Sequence, residues 1–193
     1  MNAVLASIYW LALTIWIAAL VAPAASGVAV FTVLPELNGT FAEFGSATVS
    51  TQAHIAGGHI VTPLFIGSDI VQLISAVLVL FTLGLEQFYW RPAHRSRAEY
   101  VRIPCLLAAT VLILVEICVL GPMARSHLYT YWDAVRTGPL EVATKAKAAF
   151  DLFHPISTTL YAATFGILLI AVIASAVRYS PSHSALLGTG SES

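Results

Sequence analysis

Four long apolar stretches, separated by three segments that gather most of the charged and turn-forming residues, set the pattern of this chain. They cover residues of about 5–34, 60–85, 103–123 and 156–177. Each meets the roughly 20 residues that an α-helix needs to cross the hydrocarbon core of a bilayer. Apolar runs of this length are too long for strands and read as helices. The expected fold class is therefore all-α: an integral membrane four-helix bundle with short amphipathic extramembrane helices. Residues 1–178 form a single four-span domain. Residues 179–193, small and polar, are expected to be a disordered tail.

The breaks in the pattern predict local detail. Pro23 is expected to kink the first span, and Pro35 with Asn38-Gly39 to end it. In the segment 36–58, Phe41, Phe44, Thr48, Thr51 and Ile55 recur with a weak helical period. This segment reads as a short surface helix or as an N-terminal extension of the second span, hinged at Gly57-Gly58. Tyr89-Trp90 and Tyr100 bracket a turn carrying Arg91, Arg95, Arg97 and Arg102, as expected of an exit from the membrane. The third span is expected to stop at Gly121-Pro122. Beyond it, Leu128, Trp132 and Val135 fall at i, i+4 and i+7, predicting a short amphipathic helix. Thr137-Gly138-Pro139 then reads as a helix start. The next helix has Ala143, Ala146, Phe150 and Phe153 on one face and a Glu141–Lys145 pair. It is expected to run into the fourth span, bent at Pro155.

Composition strengthens the membrane reading. Of 193 residues, 58% are hydrophobic and 10% charged, against about 25% charged in a soluble domain. The net charge of -1 and the lack of a Lys/Arg stripe exclude nucleic acid as an expected partner. The lipid bilayer is the expected one. VAPAASG could pass for a signal-peptidase site. However, no basic residue precedes the apolar run and the run continues to Leu34, so the first span is expected to be retained. Its small residues Ala18, Ala22, Ser26 and Ala25, Ala29 lie four apart, a spacing that lets another helix approach and suits a homo- or hetero-oligomer. Generic alanine richness explains them nearly as well. Cys105 and Cys118, roughly 20 Å apart on one helix, cannot pair within it and read as core thiols.

The candidate chemistry lies inside the spans. Glu116 sits well within the third apolar stretch and Asp69 within the second. An ionisable group there is costly, so it faces the bundle interior and has a partner. In an up-down topology Asp69 is roughly 15 Å and Glu116 roughly 10 Å from the same membrane face. His59 and His154 begin the second and fourth spans on that face, and Thr158 and Tyr161 continue the His154 face at i+4 and i+7. Asp69, Glu116, His59, His154, Thr158 and Tyr161 are therefore the candidate polar cluster. One reading is a structural network in which Glu116 is bonded to Thr or Tyr. The other is a pocket for a cation, a proton relay or a metal. No HxxxH or ExxH signature occurs, and His54 and His59, at i,i+5, do not share a helical face. No metal ligand, cofactor or catalytic residue is assigned.

Three passages carry a resemblance: GVAVFTVLPEL at 27–37, PMARSHL after the third span and FDLFHPISTTLY at 150–161. Together they resemble the transmembrane protein 205-like family, a bacterial group once filed as a domain of unknown function. The resemblance implies a four-helix membrane protein, with no catalytic residues to carry over. The anthrone oxygenase-like membrane proteins are the alternative family; they have four spans and a proline after a run much like FTVLPEL, but the WN-type motif associated with their last helix is absent here. The expected place is the bacterial inner (plasma) membrane. Dense arginine in the short 86–102 turn puts both termini in the cytoplasm. The reading favoured by these features is a noncatalytic bundle acting through partners or oligomers. The alternative is a small transporter or a metal or redox enzyme using the polar pocket.

Overall fold

The computed structural model describes residues 3–44, 47–89 and 97–179. It is all-α, with four long helices, each long and apolar enough to cross a membrane. They are α1 (Ala3–Glu36), α2 (Val49–Tyr89), α3 (Arg97–Thr137) and α4 (Leu140–Tyr179). At 1.5 Å per residue, 34 to 41 residues make helices of roughly 50–60 Å. That exceeds a hydrocarbon core of about 30 Å. The excess builds a cap at one end, where α1 ends, α2 begins, and α3 hands over to α4 through Gly138-Pro139. The opposite end holds the beginning of α1, the close of α2, the beginning of α3 and the close of α4.

Helix α1 packs chiefly on α2, and α3 on α4, with α2 against α3 joining the two hairpins. The central core draws on all four: Tyr9, Leu13, Trp16 and Leu20 meet Ala76, Val79 and Leu83, with Leu106, Ala109, Ile113, Leu168 and Ala171 closing the far side. Outside this core the helices stay apolar, with Leu11, Ile74, Phe81, Val111 and Ile173 exposed. A surface of that kind suits lipid rather than water. Ala18, Ala22, Ala25 and Ala29 are among the outward-facing residues of α1, so the small-residue face is not covered by the chain itself. The two cysteines are free.

The amphipathic segments are continuations of the spans rather than separate helices. Helix α2 starts at Val49 and passes through Gly57-Gly58 without a break, so the expected hinge is not there. These glycines instead admit aromatic neighbours: a Cβ on Gly58 would stand 2.8 Å from Trp132 Cζ2, and one on Gly57 2.9 Å from Phe31 Cε1. Between α1 and α2 lies a 3-10 turn, Ala42–Phe44. The Gln52 side chain ties this connection down, accepting from the Phe41 amide at 2.7 Å and donating to the Ala47 carbonyl at 2.9 Å. Phe44, Ile55 and Trp132 form a small cap core against Leu128 and Val135.

The third helix also departs from expectation. It does not stop at Gly121-Pro122 but crosses this pair through a π turn, Glu116–Leu120, and continues to Thr137. The Gly121 amide donates to the Glu116 carbonyl, five residues back. Pro122 has no N–H for the α-helical bond to Cys118, and widening the preceding turn lets the helix absorb that loss. The bend expected at Pro155 falls within the uninterrupted α4, and Pro23 within α1. Helix α1 ends one residue beyond Pro35, and Asn38 takes a left-handed φ of 48° just after it. Arg91, Arg95 and the 180–193 part of the tail lie outside the described residues.

Candidate functional site

On the cap side the four helices diverge around a cavity of about 550 Å3. Its wall is aromatic and aliphatic: Phe31 from α1, Ile55, Val61 and Phe65 from α2, Leu128 and Trp132 from α3. Its floor is charged. Asp69 of α2, Glu116 and Arg125 of α3, and Tyr161 of α4 meet there.

Asp69 is well served. The Tyr161 hydroxyl donates to its Oδ1, and Arg125 Nη1 lies 3.6 Å from its Oδ2. Phe65 stands edge-on to the Tyr161 ring at 5.9 Å and holds it in place. Glu116 is in a different position. Its residue is 4% exposed, and its Oε2 has no hydrogen-bond partner among the described residues. The Ser157 hydroxyl stands beside it, near enough to act as a weak donor although neither group makes a well-formed hydrogen bond, and Asp69 and Arg125 are close enough to act on it electrostatically.

Gly121 explains how Arg125 comes to the floor. Helical side chains lean toward the N-terminus of their helix. Arg125 leans back over Gly121, where the absence of a Cβ leaves room for its guanidinium. The mouth is polar. Lys147 and Asp151 pair at 2.5 Å one turn apart, His54 makes a 2.7 Å bond to the Ser50 carbonyl, and His154 stacks on Phe150 at 5.3 Å.

Five of the six residues singled out from the sequence line this cavity: Asp69, Glu116, His154, Thr158 and Tyr161. His59 does not. It stacks on Trp132 with ring centroids 3.8 Å apart, and on Phe44 at 6.1 Å, within the cap. The reason is rotational: a quarter turn separates it from the Asp69 face, and that turn points it at the cap core. The bonding also differs from the expected network. Tyr161 goes to Asp69 rather than to Glu116, and the Thr158 hydroxyl is spent on the His154 carbonyl of its own helix, at 2.9 Å. Arg125 and Ser157 were missed. The available signal for Arg125 was its position four residues after Gly121, had the helix been continued through Gly121-Pro122. Among the described residues, no three His, Cys, Asp or Glu side chains converge as a metal ion would require.

A second buried charge cluster sits at the opposite end. Arg102, read from the sequence as a membrane-exit arginine, is fully buried and bonds Glu86 Oε2 at 2.8 Å. Its guanidinium lies 5.6 Å from the Tyr9 ring centroid, and Glu99 is buried on the same helix. The Tyr9 hydroxyl meets Ser175 Oγ at 2.6 Å, and Ser175 donates to the Ala171 carbonyl. The packing of α2 against α3 brings Arg102, which the sequence placed in the turn, inward onto Glu86 at the end of α2. Comparison of the chain with family models, curated proteins and solved structures gives no match.

Proposed function

We propose that this four-helix membrane bundle is a noncatalytic binding protein whose working part is the cavity on its cap side, occupied by a small amphipathic molecule. The observation that carries the reading is the pairing of an apolar wall with a buried charged floor in one space of about 550 Å3. Small-molecule sites are typically concave, roughly 300–1,000 Å3, mostly apolar and supplied with a few polar groups that fix orientation. A purely structural network gains nothing from empty space around its polar groups. The second cluster, by contrast, buries its Glu86–Arg102 pair at 2.8 Å with side chains 4% and 0% exposed. The small-transporter alternative would use the same cavity, with release to the other side as an added step.

The test is occupancy. Protein extracted in mild detergent is examined by native mass spectrometry and by thermal unfolding against a panel of amphipathic small molecules. Binding or stabilisation is expected, and is lost in Thr62→Trp, which fills the cavity from α2. A wild type that carries nothing and is stabilised by nothing on the panel overturns the reading, as does binding that Thr62→Trp leaves intact.

A further inference from the structure

The floor of the cavity also decides which head group an occupant should carry. Asp69 has both oxygens engaged, one by Tyr161 and one facing Arg125. Glu116, lining the same floor and nine-tenths buried, keeps Oε2 unengaged among the described residues. The group short of a partner is thus a buried hydrogen-bond acceptor, with only the Ser157 hydroxyl beside it. Counting formal charges, Asp69 and Glu116 against Arg125 leave one negative charge on the floor. Lys147 and Asp151 at the mouth neutralise each other. The lining adds the aromatic residues Phe31, Phe65, Trp132 and Phe150, rings of a kind that attracts cations rather than anions.

Resting on the cavity reading above, we propose that the occupant is a lipophilic monovalent cation carrying at least one N–H, an amine with an apolar body, whose ammonium donates to Glu116 Oε2. An ammonium supplies the donor that the carboxylate lacks, and charge-assisted bonds of this kind are about twice as strong as neutral ones. It also offsets the floor's excess negative charge in a region where an uncompensated charge is costly. A carboxylate head group would find Arg125 already facing Asp69, at 3.6 Å. The apolar body lies against Phe65, Val61 and Leu128, on the route between the floor and the mouth.

Three probes of one body separate the possibilities: phenylbutylamine, phenylbutanol and phenylbutyrate, titrated calorimetrically into protein in nanodiscs of zwitterionic lipid. The amine is expected to bind about tenfold more tightly than the alcohol or the acid, the ratio for one charge-assisted bond. Glu116→Gln, checked for its thermal transition, should bring the amine down to the level of the alcohol and leave the alcohol unchanged. Arg125→Gln should widen the preference for the amine. An acid that binds best, or an amine preference untouched by Glu116→Gln, overturns the proposal. If all three bind alike and Thr62→Trp abolishes them all, the cavity reading survives and the cationic head group does not. If none binds, both fail together.

Discussion

Gly121 and Arg125 occupy one space: a Cβ on Gly121 would fall 2.9 Å from Arg125 Nη1 and 2.9 Å from the carbonyl oxygen of Glu116. The first contact lies on the path by which the guanidinium reaches Asp69. The second lies inside the π turn that holds Glu116. One missing methyl group therefore serves both the ion pair and the irregular backbone beside it.

Gly121→Ala should accordingly be destabilising, although alanine is the better helix former. The guanidinium can swing aside cheaply, but the Glu116 carbonyl is backbone and must shift. Overpacking of this type costs about 1–3 kcal/mol. Thermal and denaturant unfolding in mild detergent measure it. A variant as stable as wild type, or more so, would show that the π turn relaxes to a regular helix at no cost.

The buried pair at the other end makes an opposite kind of prediction. Arg102 and Glu86 are 2.8 Å apart with side chains 0% and 4% exposed. Removing one partner leaves the other charge uncompensated, at about 3–5 kcal/mol for buried pairs. Arg102→Met should be the worst single change, because Glu99 is buried close by on the same helix. The double variant Arg102→Met, Glu86→Leu should be more stable than Arg102→Met alone. Strictly additive losses would indicate that the two residues do not act as a pair.

The third prediction concerns topology. Single cysteines at Ser96 and Thr144, in a background lacking Cys105 and Cys118, should react with a membrane-impermeant reagent from opposite faces of the membrane. With both termini cytoplasmic, Thr144 labels in intact cells and Ser96 only after permeabilisation. Labelling of both in intact cells is incompatible with four spans. The reverse pattern keeps the spans and inverts the orientation.

Much of the fold could be read from the chain because crossing a bilayer imposes a local rule. About 20 apolar residues are needed wherever a helix passes through hydrocarbon, so hydropathy along the chain marks the spans without knowledge of their neighbours. The same rule, with a constant rise per residue, places Asp69 and Glu116 at comparable depth, and both line the cavity. The breaks were less legible. Gly121-Pro122 is a stop signal in an isolated helix, but within the bundle a π turn and the packing of α3 on α4 carry the helix through it.

The sequence by itself determined the number of long apolar helices and the place of each polar group along them, since both depend on position along a helix. Only the tertiary structure decided the partners: Tyr161 for Asp69 rather than Glu116, Trp132 for His59, Glu86 for Arg102, and Arg125 over the floor of the cavity. Those choices depend on how each helix is rotated about its axis. A helix that is apolar on every side carries little record of its rotation in hydropathy; packing against its neighbours sets it.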